Sequence, residues 1–277
     1  NRWRAATRHE AGRQLMTRSI GIDVGGSTLR VAEVDLLSGH AQEGMQSIPM
    51  PKGAQPDDVL TVLARALERY DPELPVGLAF PTVAQHGYAR TAANVHESWI
   101  GLDVQREFAR RCHRRVLFLN DADAAGVAEM HFGAGRQLAA EVAAGGAAAR
   151  RVVVLTFGTG IGSALFLDGE LWPNTELGHL MLPGVTEVDG EGYAAASVRT
   201  RLALDWPAWT QRVNRYLHEL HRLLWPDVFI LGGAVSERAE EWMPLLESPA
   251  RLLPAALRGH AGVVGAAWAA APDRMAR

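Results

Sequence analysis

Two stretches of this chain read alike. Ile22-Asp23-Val24-Gly25-Gly26-Ser27-Thr28-Leu29-Arg30-Val31-Ala32-Glu33-Val34-Asp35 lines up without a gap on Leu155-Thr156-Phe157-Gly158-Thr159-Gly160-Ile161-Gly162-Ser163-Ala164-Leu165-Phe166-Leu167-Asp168. Each copy runs apolar strand, polar residue, glycine turn, apolar strand, Asp. Each opens a half that continues through helical and buried-strand patterns. The offset is too long for a solenoid repeat. It predicts two related α/β domains facing each other. The 277 residues suffice for about two domains, and 48% hydrophobic content suffices for their cores.

Two glycine turns, one per half, suit a phosphate chain. Glycine lets backbone N–H groups approach an anion and form a nest. Gly25, Gly26, Ser27 and Thr28 make the first turn; Gly158, Thr159 and Gly160 make the second. Asp23, at the end of the first strand, is placed to hold magnesium directly or through water, since hard cations prefer oxygen. The competing reading is a pair of ordinary hairpins whose glycines serve turn geometry.

A second constraint is Val116-Leu117-Phe118-Leu119-Asn120-Asp121-Ala122-Asp123. An apolar run typical of a strand buried on both faces stops at Asn120-Asp121, and an Ala-rich helix from about Ala122 to His131 follows, ended by Gly133 and Gly135. Ligands of open α/β sheets bind beyond the carboxyl ends of strands, so Asp121 is a candidate functional carboxylate. It is also a good helix N-cap, and Asp121-Ala122-Asp123 has the D-x-D spacing of a sugar-nucleotide metal site.

Further along, Glu176-Leu177-Gly178-His179 has E-x-x-H spacing, but Gly178 and the flanking Pro173 and Pro183 argue against a metal-binding helix. Asn120, Asp121, Glu176, His179 and Glu191 together offer donors and acceptors suited to a polyhydroxyl ligand. Glu187 and Asp189 compete with Glu191 for its place.

Composition excludes several classes. Lys52 is the only lysine and sits in a turn, so neither a Walker A loop nor a protein-kinase strand lysine is present. Cys112 is the only cysteine, which rules out an intrachain disulfide and a Cys-based zinc cluster. A net charge of −3 gives no general attraction to nucleic acid. No apolar run is long enough to span a membrane and no signal-peptide core is evident, so a cytoplasmic location is expected.

The remaining expectations concern elements. Residues 1–18, rich in Arg, read as a disordered arm. Strands are expected near Met45–Ile48, at Val76–Phe80 and at Val228–Leu231, the last followed by Gly232-Gly233. Helices are expected from Asp57, from Asp103 to Cys112, from Pro207 to Leu224, from Ser236 to about Leu246, and from Ala261 to Ala271. Residues 138–149 read as a surface loop or frayed helix.

These features resemble the sugar kinases of the ROK (repressor–open-reading-frame–kinase) family, and within it the polyphosphate-using glucokinases. The resemblance covers Ile20 to about Ala269. It is carried by Gly21-Ile22-Asp23-Val24-Gly25-Gly26-Ser27, Thr91-Ala92-Ala93-Asn94 with Ser98-Trp99-Ile100-Gly101, Leu119-Asn120-Asp121-Ala122-Asp123-Ala124-Ala125-Gly126, Leu155 through Ala164, and Pro173-Asn174-Thr175-Glu176-Leu177-Gly178-His179. It implies duplicated actin/hexokinase-like (ribonuclease H-like) domains with an interdomain cleft: a small N-terminal domain of residues 19–119 plus a C-terminal helix at about 261–277, and a large domain of 120–260. It implies Asp121 as catalytic base on the 6-hydroxyl of glucose or mannose, with Asn94, Asn120, Glu176, His179 and Glu191 on the sugar. The two glycine turns, with Gly232 and Gly233 near an adenosine, would hold polyphosphate or ATP, and Asp23 would stand near the magnesium. No Cys lies between Leu182 and Gly190, so no zinc is expected, and a cytoplasmic homodimer without nucleic-acid or membrane partners is. An ATP-only hexose or amino-sugar kinase is the alternative. A sugar-responsive regulator would need a DNA-binding domain ahead of the first glycine turn, for which the 1–18 arm is too short.

Overall fold

The computed structural model describes residues 17–41, 44–185 and 187–271. The chain forms two compact units, Asn1–Ala128 with His260–Arg277, and Glu129–Gly259. Most of the expected 1–18 arm lies outside the described residues, but Arg18 already belongs to the first strand and pairs with Glu33 at 2.7 Å.

In the first unit, strands β1 (Arg18–Val24), β2 (Thr28–Asp35) and β3 (Gln46–Pro49) form an antiparallel meander. Helix α1 (Pro56–Leu67) follows, with Pro at its start, Asp57 and Asp58 in its first turn, and Val59, Leu60, Leu63 and Leu67 buried at helical spacing. Strand β4 (Val76–Phe80), buried at every position, pairs in parallel with β1. A hairpin of β5 (Ala84–Gln85) and β6 (Tyr88–Ala89) leads to helix α2 (Val104–Cys112), whose N-cap Asp103 accepts the Arg106 N–H at 3.0 Å. Strand β7 (Val116–Asn120) pairs in parallel with β4 and runs directly into α3 (Asp121–Phe132). The sheet order is β3-β2-β1-β4-β7. Trp99, fully buried, anchors the adjoining loop: its Nε1 donates to the Ala54 carbonyl at 2.8 Å and its ring packs on Phe80.

In the second unit, Gly133 breaks the helix and α4 (Ala134–Ala143) resumes, so of the two readings of residues 138–149, surface loop or frayed helix, the helix holds over the first half; Gly135 lies inside α4 rather than ending α3. Strands β8 (Arg151–Phe157), β9 (Ile161–Leu167) and β10 (Glu170–Trp172) make the second meander. The short helices α5 (Gly190–Ala194) and α6 (Ala196–Arg201) precede the long amphipathic α7 (Trp206–Leu224). Strand β11 (Val228–Gly233) pairs in parallel with β8 and with β12 (Arg251–Pro254). The helix expected from Ser236 is only the single turn α8 (Ala239–Trp242) between 3₁₀ turns, and the Ser236 hydroxyl binds the Gly233 carbonyl instead of capping it. Trp209 and Trp242, both fully buried, pack edge-on to each other and to Phe157 in this core.

The second sheet has the order β10-β9-β8-β11-β12, the same order and the same strand senses as the first. The repeat is therefore structural, but its gapless alignment slips at the turn. Four residues, Gly25 to Thr28, separate the last paired positions Val24 and Leu29; three, Gly158 to Gly160, separate Phe157 and Ile161. Past the turn, Leu29 corresponds to Ile161 and Arg30 to Gly162. The burial of Leu29, Val31, Ala32 and Val34 then matches that of Ile161, Ser163, Ala164 and Phe166. Side chains alternate faces along a strand, so a one-residue error would turn every one of them over.

The closing helix α9 (Ala261–Ala269) returns to the first unit and lies on β1 and β4. Its approach is set by backbone. A Cβ on Gly21 would overlap the Val263 carbonyl, one on Gly77 the Ala266 carbonyl, and one on Gly265 the Ala124 carbonyl. The family resemblance places the boundary after residue 119; the compact units divide inside α3, after Ala128. The reason is that β7 is hydrogen-bonded into the first sheet and Ala124 is packed beneath α9.

Candidate active site

In the first unit the parallel registers align the ends of three strands. Asp23 on β1 stands opposite Ala79 on β4, which stands opposite Leu119 on β7; Asn120 pairs with Phe80. Two strand spacings, roughly 10 Å, thus separate β1 from β7 at their carboxyl ends. The Asn120 side chain is buried and committed to structure. Its Oδ1 accepts the N–H groups of Ala122 (2.8 Å) and Asp123 (3.0 Å), and its Nδ2 donates to the Thr82 carbonyl (2.9 Å). Asn120, not Asp121, thus caps α3, and one amide hydrogen of Asn120 remains for a ligand. Asp121 is partly exposed, with Oδ1 2.8 Å from the Ala122 N–H. Asp123 is buried, so the two carboxylates of the D-x-D spacing do not share an exposure.

Asp23 has a side chain only 14% exposed. Burial pushes its carboxyl above the ordinary range, and the Arg30 guanidinium, 3.2 Å from Oδ2, pulls the other way. A Cβ on Gly262, in the first turn of α9, would sit 2.7 to 3.0 Å from this carboxylate, so the helix start is pressed against it. In the first glycine turn the Gly25 N–H donates to the Thr28 carbonyl at 3.0 Å. Asn94, in left-handed conformation at φ 61°, lies against this turn: a Cβ on Gly26 would be 3.1 Å from that of Asn94. Asn94 therefore stands beside the phosphate candidate of its own unit.

In the second unit the structure gathers Glu176, His179 and Glu191. Ser163 on β9 holds the approach: its hydroxyl donates to the Thr175 carbonyl (2.6 Å) and accepts the Leu177 N–H (3.1 Å). Leu177–His179 is a 3₁₀ turn, not a helix. Gly178 is required there because a Cβ would overlap the Ile161 carbonyl. The following loop closes when Gly190 donates its N–H to the Leu180 carbonyl at 2.8 Å, which returns the chain beneath His179. Glu191 Oε2 then accepts the Ile161 N–H at 3.1 Å, and its Oε1 lies 4.0 Å from His179 Nδ1. Glu191 thus ties the second glycine turn to the His179 group. Of its competitors, Asp189 has a distinct place, and Glu187 is exposed.

Asp189 is the residue that sequence reasoning undervalued. Its Oδ1 caps α5 through the Gly192 N–H (2.9 Å), and its Oδ2 accepts from His179 Nδ1 at 2.8 Å. The His179 imidazole is held above its ordinary pKa, first by this bond, against burial and with help from Glu191 and Glu176. Burial pushes Asp189 upward, yet the bonds from His179 and Gly192 hold it below the usual carboxylate range. Glu176, whose Oε2 lies 3.9 Å from His179 Nε2, is raised by burial, lowered by His179 and raised again by Glu191. The ligand atoms of His179, Asp189 and Glu191 lie within 4.8 Å of one another. The 2.8 Å bond between His179 and Asp189 needs a proton on Nδ1, so this arrangement works as a hydrogen-bonding set.

The signs give a prediction. The pair's support from His179 is full below the ordinary imidazole pKa and fades as pH rises through the raised one; the support from Asp189 is lost as pH falls through its lowered value. Asp189→Asn removes the largest cause of the His179 shift. The His179 ring resonance, followed by NMR, should then titrate at lower pH than in the parent chain. An unmoved titration would show that Asp189 does not set the charge of His179.

The second glycine turn meets the end of β11. Gly232 pairs with Thr156 and Gly233 with Phe157, and the Ala234 N–H donates to the Phe157 carbonyl at 2.9 Å. A pocket of about 370 Å³ opens there, lined by Gly158, Thr159, Ser197, Arg199, Trp206 and Ala234 among others. The Ser197 hydroxyl donates to the Thr159 carbonyl at 2.6 Å and its N–H to the Gly158 carbonyl at 3.0 Å, which fixes the turn to α6. The expected donor residues Gly158, Thr159, Gly232 and Gly233 are therefore neighbours. Arg199 and Trp206 had no local sequence signal, because they lie some forty residues beyond the turn.

Residues 19–193 match the model of the ROK family. The chain is 40% identical over 268 residues to a polyphosphate glucokinase of Mycobacterium tuberculosis, covering 96% of each chain. It is similar to the crystal structure of an inorganic polyphosphate/ATP-glucomannokinase from Arthrobacter sp. strain KM, at 38% identity and a TM-score of 0.79, over 90% of this chain and 96% of that one. A ROK family glucokinase from Streptomyces griseus, solved with glucose and AMPPNP, shares the fold at 22% identity and a TM-score of 0.72, over 91% and 99% of the two chains. The duplicated sheets are those of the actin/hexokinase-like fold.

Proposed function

The chain belongs to the ROK family, and on that premise we propose that it is a glucokinase that transfers a phosphoryl group from polyphosphate or ATP to the 6-hydroxyl of glucose. The observation that carries this reading is the division of roles at the end of β7. Asn120 caps the helix through two backbone N–H groups, and the Asp121 carboxylate, one oxygen of which accepts the Ala122 N–H, stands partly exposed at the carboxyl end of the strand, where ligands of such sheets bind. The relatives at about 40% identity, named polyphosphate glucokinases, supply the substrate class.

In this reading Asp121 orients the hydroxyl and takes its proton as the oxygen bonds to phosphorus and the bridging oxygen of the donor leaves. The transition state is loose, so positioning and charge neutralisation carry most of the acceleration. Glu176, His179, Glu191, Asn94 and Asn120 hold sugar hydroxyls, and the glycine turns offer N–H groups to the donor. Magnesium fits Asp23: Arg30 takes Oδ2, which leaves Oδ1 for the cation or its water, and magnesium is usually bound by one or two carboxylates together with phosphates and waters. When bound, it would neutralise donor charge. Zinc would find no thiolate cluster, since Cys112 is the single cysteine. Mannose as a second acceptor follows from the likeness to the glucomannokinase. The resemblance adds a cytoplasmic homodimer, and no helix among the described residues is long and apolar enough to cross a membrane.

The test is formation of glucose 6-phosphate by the purified chain with polyphosphate and with ATP supplied separately. Both should serve. The chain is net negative, so polyphosphate must be held by local arginines, and its binding should weaken more with salt than that of ATP. From low to physiological ionic strength, the KM for polyphosphate should rise severalfold and that for ATP less. Product from ATP alone would make this an ATP-only kinase; product from neither would remove the reading.

A further inference from the structure

The pocket beside the second glycine turn contains a guanidinium, that of Arg199, which makes no direct ion pair among the described residues, although the Glu241 carboxylate bound to Arg238 is near enough to feel its charge. Arg199, on α6, stacks its guanidinium 3.6 Å from the centre of the Trp206 ring. Its Nε is buried and has no hydrogen-bond partner, and among the described residues Arg199 makes no ion pair. Its neighbour Arg238 differs: 5.0 Å from the same ring, it is bound at both Nε and Nη2 by Glu241, at 2.5 and 2.6 Å. Glu241 also accepts from Trp206 Nε1 at 3.0 Å, and Trp206 packs edge-on against the buried Trp209. The indole is thereby fixed, and Arg199 is spread over it with its donors unspent.

Two consequences follow from chemistry. The Arg199 guanidinium lines the pocket and makes no ion pair among the described residues, and phosphate oxygens match such a fork in pairs. The indole face under Arg199 is also closed to a nucleobase, because a purine would have to displace the cation to stack there. Gly158 and Thr159 line the same pocket, so an anion on Arg199 is continuous with one on the turn.

Resting on the reading of the chain as a polyphosphate/ATP glucokinase, we propose that Arg199, held by Trp206, is a donor-specificity residue that takes a phosphate of the polyphosphate chain beyond the one transferred. The test measures binding, not turnover. Tripolyphosphate, a longer polyphosphate and AMPPNP are titrated calorimetrically into the parent chain, Arg199→Gln and Arg199→Lys. A charge-assisted hydrogen bond is worth about 1.5–3 kcal/mol, so Arg199→Gln should weaken polyphosphate by ~10-fold or more, and AMPPNP by clearly less. Arg199→Lys, which keeps the charge and loses the fork, should fall between. Equal losses for polyphosphate and AMPPNP, or no loss for either, would overturn the assignment, as would a parent chain that binds no polyphosphate. In each of those cases ATP-driven glucose 6-phosphate formation by the same preparation would leave the kinase reading standing, whereas loss of that activity would remove the kinase reading on its own account.

Discussion

Asp121→Asn lowers turnover by ~10²–10⁴-fold and leaves the fold intact. The amide keeps the shape of the carboxylate but cannot accept the proton of the sugar hydroxyl. Stability should hold because the cap of α3 is made by the neighbouring Asn120, through two backbone N–H groups at 2.8 and 3.0 Å. The companion variant separates the roles. Asn120→Ala removes the cap and leaves the Thr82 carbonyl without its 2.9 Å donor, so it should cost about 1–3 kcal/mol of stability. Steady-state kinetics with thermal melts of both variants reads both effects. Near-normal turnover in Asp121→Asn would return Asp121 to the rank of a helix-start residue, and a normal melt for Asn120→Ala would dispute the cap.

Gly77→Val should be among the most damaging single changes to the first unit, with those at Gly21 and Gly265. Gly77 lies in the middle of β4, and any Cβ there would overlap the carbonyl of Ala266 in α9. Overpacking typically costs 1–3 kcal/mol when side chains can yield. Here the opposing atom is backbone, so helix and sheet must separate, and a loss of at least ~3 kcal/mol, about 10 °C in Tm, is expected. Gly259→Ala is the control, since a Cβ at Gly259 would meet nothing within 4 Å. Equal melting temperatures for the two variants would show that α9 does not rest on β4 in this way.

The glycines of this packing illustrate what a linear reading misses. The small residues of 261–269 mark an apolar closing helix, and its place on the first sheet was expected from the family resemblance alone. Gly21 and Gly77 look like ordinary strand residues until the helix backbone is seen against them. Likewise, the repeat was visible, but the one-residue difference between its turns was not. Hydrophobic patterning tolerates a slip past a glycine turn, whereas the paired registers do not.

Local chemistry settled much from sequence alone. The strand ending at Asn120-Asp121, the two glycine turns, the Asp103 cap and the amphipathic α7 each follow from the side chains of a few adjacent residues. So does the absence of a lysine-based phosphate loop. Tertiary structure decided whatever depends on chain return. The pairing of Asp189 with His179 needs the 180–190 loop to close, and the tie from Glu191 to the second turn needs the same closure. The assignment of the α3 cap to Asn120 needs the Thr82 carbonyl, 38 residues away, to hold the amide in place. Arg199 lines one pocket with Gly158 and Thr159 because Ser197 fastens α6 to the turn. Spacing along the chain carries no information about such contacts, because they are set by packing and hydrogen bonding between segments that become neighbours only after folding.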